Sequence, residues 1–143
     1  MATPSLLAHT EAIRLAVTPV FLLAGISGLL GVLTARMGRI VDRVRWLKER
    51  PGGVSLAERR EQASELALLR RRMRLVSRAI ALTTFCYLLV ALVVVLLFVS
   101  SAPMLDLSPL VAPLFVLAML SLMAAVLLLL REVQLGGRGL AIY

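Results

Sequence analysis

The chain has 143 residues, 60 % of them hydrophobic, with a mean hydropathy of +0.94. Soluble domains carry about 45–50 % apolar residues, and a domain this small buries only about two-thirds of its chain surface, so a water-soluble fold is excluded and lipid must cover the remainder. The net charge of +8 would point to nucleic acid in a soluble protein; here its meaning depends on where it sits relative to a bilayer.

Three uncharged runs dominate the chain: Leu15 to Ala35, Ala79 to Leu105 and Leu107 to Leu130, of 21, 27 and 24 residues. At about 1.5 Å per residue each is long enough for a hydrocarbon core of about 30 Å. A spanning segment is a helix or part of a closed barrel, and runs this long and uniformly apolar are helices. The expected fold is therefore an all-α membrane protein with three transmembrane helices at about residues 15–35, 79–102 and 109–130, in a single domain. The segment before the first run has no basic cluster, only Glu11 and Arg14. The run is also longer than the 7–15 apolar residues of a signal peptide, so a retained span is expected.

The first span is rich in small residues. Ala24–Gly28 and Gly31–Ala35 fit small-xxx-small spacing, as does Ser27–Gly31, which lets helix backbones approach closely. Packing within the chain and self-association are both open on this pattern. Thr18-Pro19 is expected to kink the span near its outer end, with the threonine hydroxyl meeting a carbonyl that proline leaves free.

Residues 36–78 read as a helical hairpin. Met37, Ile40, Val41, Val44 and Leu47 form one apolar helical stripe. Pro51-Gly52-Gly53 breaks it, and Ser55 with Glu58 is a capping-box signature for a second helix. Leu66, Leu69, Met73, Val76 and Ile80 then run with heptad-like spacing into the second span. The expectation is that helices 1 and 2, about residues 12–50 and 55–102, extend beyond the membrane as an antiparallel hairpin with Trp46 near its tip. Folding about residue 52 puts residue 42 opposite 62 and 36 opposite 68. The distal part, 40–66, is then nearly neutral, with six bases and five acids, while Arg36, Arg39, Arg70, Arg71, Arg72, Arg74 and Arg78 form a membrane-proximal collar without an acid. Juxtamembrane bases each gain about 1 kcal/mol at an anionic leaflet. The collar arginines are accordingly candidates for lipid headgroups, and at the least a topology signal.

In the third span, Ser108-Pro109 reads as a cap and first-turn proline, and Pro113 as a kink or later start. Gly136-Gly137 is expected to break the helix and leave 138–143 as a short tail. Thr83, Thr84, Tyr87 and Ser121 suit helix–helix hydrogen bonds better than a pore lining, and Met104, Met119 and Met123 suit gap filling.

Orientation follows from the basic residues. Residues 36–78 hold thirteen, against none in 100–109. The N-terminus and the 100–109 connection are expected outside, 36–78 and the C-terminus in the cytoplasm, in a bacterial inner membrane.

Chemistry is sparse. No Asp, Glu, Lys, Arg or His lies within the three runs, which argues against a proton-coupled transporter or an intramembrane carboxylate or histidine enzyme. The single Cys86 and single His9 cannot make an internal disulfide or close a tetrahedral metal site, and Cys86 is expected to be a small buried or lipid-facing hydrophobe. Basic residues interleaved with aromatics would favour nucleic acid, yet Trp46 is the only aromatic from 36 to 78, so no nucleic acid is expected. No catalytic residue, metal, cofactor or small-molecule substrate is assigned.

The pieces Thr18-Pro19-Val20-Phe21-Leu22-Leu23 with Gly25, Arg39-Ile40-Val41-Asp42-Arg43 with Arg45, Arg70-Arg71-Arg72, Arg78-Ala79-Ile80 and Leu130-Arg131-Glu132-Val133 together resemble a bacterial family of membrane proteins, domain of unknown function 2721, over about residues 10–135. The resemblance implies three spans and no established activity, and it carries no site residues. Asp42, a lone acid among Arg39, Arg43 and Arg45, is expected to make a local salt bridge along its helix. The expected function is non-enzymatic: a structural or accessory subunit of a membrane assembly, with itself, a larger complex or anionic lipid as partner. The alternative is a homo-oligomeric channel or passive transporter lined by hydroxyls and biased toward anions by the collar.

Overall fold

The computed structural model describes residues 4–49, 55–100 and 107–138. They form three helices: α1 (Pro4–Glu49), α2 (Leu56–Val99) and α3 (Ser108–Arg138). At about 1.5 Å per residue the 46, 44 and 31 residues measure roughly 69, 66 and 47 Å, so each outruns a hydrocarbon core of about 30 Å. All three are long and apolar enough to cross a membrane. Only 11, 28 and 17 % of their most apolar stretches is buried, and the apolar surface left outside is what lipid solvates. This is an all-helical protein that can span a membrane three times.

α1 begins at Pro4 rather than near residue 12. Glu11 and Arg14 bound the apolar run but do not end a helix, and a proline is well placed in a first turn. Pro19 lies inside α1 and is buried; the Thr18 side chain falls outside the described ones. The α2 start is the expected capping box. Glu58 N–H donates to Ser55 Oγ at 3.2 Å, and Ser55 N–H donates to Glu58 Oε2 at 3.4 Å. α2 ends at Val99, and Ser100 N–H closes on the Leu96 carbonyl at 2.8 Å. Pro109 sits in the first turn of α3, while Pro113 lies within it. The Pro51-Gly52-Gly53 break, Met104 and most of the 100–109 connection lie outside the described residues.

One expectation is corrected at the C-terminal end. α3 does not stop at Gly136-Gly137 but continues to Arg138. Glycine costs about 1 kcal/mol in a helix relative to alanine, too little by itself to end this one.

The helices divide into two compact units. The first comprises Met1–Leu30 and Leu82–Met123, the second Gly31–Ala81 and Ala124–Tyr143. In the first, Ile26, Cys86, Leu89, Val90 and Ala118 form the core, with Leu22, Leu114 and Met119 against it. Cys86 is fully buried there, as a small hydrophobe. Thr83 and Ser121 are buried too, whereas Tyr87 and Met123 are exposed, as is Thr84. Two of the four hydroxyls therefore face the core, and Met123 fills no gap. In the second unit the buried positions are Leu33, Ile40, Leu47, Leu69, Val76, Ala79, Ala125 and Glu132.

Buried positions recur every seven residues along each helix: 26, 33, 40 and 47 in α1; 69, 76, 83 and 90 with 79, 86 and 93 in α2; 118, 125 and 132 in α3. This is the a/d pattern of helices packed at a shallow angle. The apolar stripes read in residues 37–47 and 66–80 contain its steps Ile40, Leu47, Leu69 and Val76.

Candidate functional site

The second unit carries a charged cluster that the seven-residue pattern builds. Glu132 takes the α3 step after Ala118 and Ala125 and is 1 % exposed. A buried carboxylate needs opposite charge and donated hydrogen bonds, and here both neighbouring helices supply them. Arg36 of α1 donates from Nη1 to Oε2 at 2.8 Å. Arg72 of α2 donates from Nε and Nη2 to Oε1 at 3.0 and 2.7 Å. The two arginine side chains keep 31 and 26 % of their surface exposed, so they stem from the packed interior while their heads stay partly hydrated. One carboxylate thus fastens all three helices of this unit.

Gly136, one turn beyond Glu132 on the same face, lies against the Arg72 head. A Cβ there would lie 3.0 Å from Arg72 Nη2 and 3.2 Å from its Cζ, so the helical glycine seats the guanidinium.

Beside the clamp is a cavity of about 250 Å³. Arg36, Arg39, Arg43 and Arg72 surround it with Glu132, over an apolar floor of Ile40 and Leu69. Arg43 also pairs with Glu65 at 2.7 Å and stacks over the Trp46 ring at 4.5 Å. Trp46 is 45 % exposed. Arg36 Nε is buried without a hydrogen-bond partner among the described residues, a donor whose missing acceptor costs about 1–3 kcal/mol. A second cavity, about 270 Å³, lies between Arg71 and Leu75 of α2 and Arg131, Gln134 and Leu135 of α3.

Of the seven collar arginines, the structure brings Arg36, Arg39 and Arg72 together and adds Arg43. It sets Arg71 at the second cavity and leaves Arg70, Arg74 and Arg78 exposed. The collar segments hold no acid of their own; Glu132 of α3 supplies one to Arg36 and Arg72. The register also differs. Arg43 meets Glu65 and Arg36 meets Arg72 at Glu132, four residues, about one turn, further toward the α2 C-terminus than a fold about residue 52 puts them. Asp42 forms no salt bridge among the described residues, contrary to the local pairing expected of it. Its neighbour Arg43 reaches across to Glu65 instead.

Ala24, Gly28, Gly31 and Ala35 of α1 are all exposed. A Cβ added at Gly25, Gly28 or Gly31 would meet nothing within 4 Å. Ser27 and Thr34 bond their own helix, to the Leu23 carbonyl at 2.9 Å and the Gly31 carbonyl at 3.2 Å. Among the described residues nothing packs over the glycines of this face. Among the described residues no three His, Cys, Asp or Glu side chains come together as a metal site would need.

Three apolar helices, each longer than a bilayer is thick, with one buried carboxylate clamped by arginines, define a small polytopic membrane protein. The chain belongs to the family described as protein of unknown function (DUF2721), whose model matches residues 16–142. No curated protein and no solved structure matches it.

Proposed function

We propose that the protein is a non-enzymatic membrane subunit that joins a larger assembly through helix contacts in the bilayer. Residues 36–78 project into the cytoplasm as an antiparallel hairpin, and the N-terminus lies outside. The observation that carries this reading is the uncovered surface of α1. Its Ala24, Gly28, Gly31 and Ala35 face is exposed with open space over its glycines. Its most apolar stretch is the least buried of the three helices. Helices associate in lipid by close backbone approach, because lipid removes the hydrophobic drive between them, and a face with no side chains to bar approach is the surface such contact uses. The non-enzymatic part is supported by the absence of Asp, Glu, Lys, Arg and His from the three apolar runs and by the commitment of Glu132 to Arg36 and Arg72. The hairpin reading is supported by the Arg43–Glu65 pair and the orientation by thirteen bases in 36–78.

Cys86 is buried, so Gly28→Cys gives the full-length protein one accessible thiol among the described residues. Oxidation in native membranes should link Gly28→Cys to a second copy or to a co-purifying membrane protein, and Val126→Cys on α3 much less. A solubilised particle with the mass of one chain, and no cross-link at position 28, would end this reading. A closed ring that passes anions across liposomes would replace it with the channel.

A further inference from the structure

We propose that the cavity ringed by Arg36, Arg39, Arg43 and Arg72 is a binding site for a phosphate group, either free in solution or carried as a phosphomonoester on a lipid headgroup. The site stands on the second unit alone and does not depend on the assembly reading.

Three observations carry it. The first is charge. Four guanidiniums line one cavity of about 250 Å³, and the only acid in its wall among the described residues, Glu132, is committed to Arg36 and Arg72. Glu65 takes one edge of Arg43. A surplus of about two positive charges remains at close quarters, which a phosphomonoester of about −1.5 to −2 matches and a carboxylate does not. The second is unused donors. Arg36 Nε is buried without an acceptor, and Arg39 makes no ion pair among the described residues. Arginine presents its N–H groups in a planar fork suited to phosphate oxygens. The third is size and position. The cavity is smaller than the roughly 300–1,000 Å³ of drug-sized ligand pockets, so it admits a headgroup rather than a large metabolite. Arg36 directly follows the uncharged run that ends at Ala35, and Glu132 follows within two residues the run that ends at Leu130, so the cavity opens at the level where lipid phosphates lie.

Glu132 is then a positioning residue. It fixes Arg36 and Arg72 in the wall before the anion arrives, and Gly136 makes room for the Arg72 head. Arg39 and Arg43, both exposed, close on the bound group. Arg43 stacks on Trp46, the only tryptophan, so its movement is reported by intrinsic fluorescence.

The test uses full-length protein in phosphatidylcholine nanodiscs titrated with inorganic phosphate at constant ionic strength. A parallel set of discs contains phosphatidic acid, with phosphatidylglycerol discs as the diester control. Trp46 fluorescence and thermal midpoint are read in each. Arg36 and Arg72 hold Glu132, so their replacement disturbs the fold; the informative variants are Arg39→Gln and Arg43→Gln, with Arg45→Gln as an equal charge loss outside the cavity. A saturable response to inorganic phosphate, about tenfold weaker in Arg39→Gln and unchanged in Arg45→Gln, supports the site and assigns a soluble source. The same variant pattern seen only with phosphatidic acid supports it and assigns the lipid. Circular dichroism establishes that each variant is folded. No response in either arm, or equal losses in Arg45→Gln and Arg39→Gln, overturns the proposal in favour of diffuse charge attraction.

Discussion

In α3, Ala118 and Glu132 occupy steps of one seven-residue spacing, and what stands at that step separates the two units. In the first unit Ala118 meets Ile26, Cys86 and Val90, with no charge among them. In the second, Glu132 meets Arg36 and Arg72. The same helical geometry therefore holds helices together in two ways. The apolar unit depends mainly on shape, since lipid is as apolar as most of its side chains; Thr83 and Ser121 are the buried hydroxyls in it. The charged unit depends on an interaction that a slip of any helix by one residue would break, as a single polar residue at a core position fixes register in a coiled coil. Adhesion comes from one and alignment from the other.

Removing Glu132 is the strongest way to break that contrast. Glu132→Ala leaves two guanidiniums facing each other over the space of a lost carboxylate. Breaking a buried pair costs about 3–5 kcal/mol, and the partial hydration of both arginines puts this case near 3 kcal/mol. Sodium dodecyl sulfate titration followed by Trp46 fluorescence measures it. A cost below that of the apolar substitution described next would mean that the clamp is incidental.

Much of this molecule is legible in its sequence, and the part that is not has a physical reason. The three spans, the Ser55–Glu58 capping box and the stripes through Ile40, Leu47, Leu69 and Val76 follow from composition and short-range spacing. The clamp does not. Its members lie at positions 36, 72 and 132, and Gly136-Gly137 reads as the end of α3 although the helix runs on to Arg138. Two signals point to it nonetheless: Glu132 is the sole acid after Asp106, and it continues the seven-residue spacing of Ala118 and Ala125. The small-residue face of α1 is visible as a pattern, but whether neighbours within the chain cover it depends on helix rotation, which spacing alone does not determine.

The apolar unit responds more weakly to a comparable cut. In soluble cores Ile→Ala costs about 2–5 kcal/mol, part of it transfer from water and part the cavity left behind. In lipid the transfer part largely vanishes, so Ile26→Ala is expected to lose about 1–2 kcal/mol, read in the same detergent titration. It should also raise the labelling rate of buried Cys86 by a membrane-permeant maleimide, because Ile26 packs in the cluster that covers it. Unchanged labelling would remove Ile26 from that role.

At the start of α2 the effect is local. Ser55→Ala deletes the hydroxyl that accepts from Glu58 N–H and should cost about 1 kcal/mol. Hydrogen exchange should quicken over the first turn of α2 and not near Glu132. Faster exchange at residues 72–76 would mean that the capped end and the clamp unfold together, and the second unit would then be one cooperative block.

The smallest effect is expected where charge is paired but not buried. Arg43 and Glu65 have side chains 49 and 38 % exposed, and exposed pairs contribute about 0.2–1 kcal/mol because water and salt screen them. The Trp46 ring beneath Arg43 adds about 0.5 kcal/mol at such a site. Arg43→Ala should therefore cost at most about half of what Glu132→Ala costs, and the ion-pair part should fade as salt is raised while the Glu132 effect persists. A salt-insensitive loss near 3 kcal/mol for Arg43→Ala would place the Glu65 pair in the same class as the clamp, and burial would no longer be what distinguishes the two.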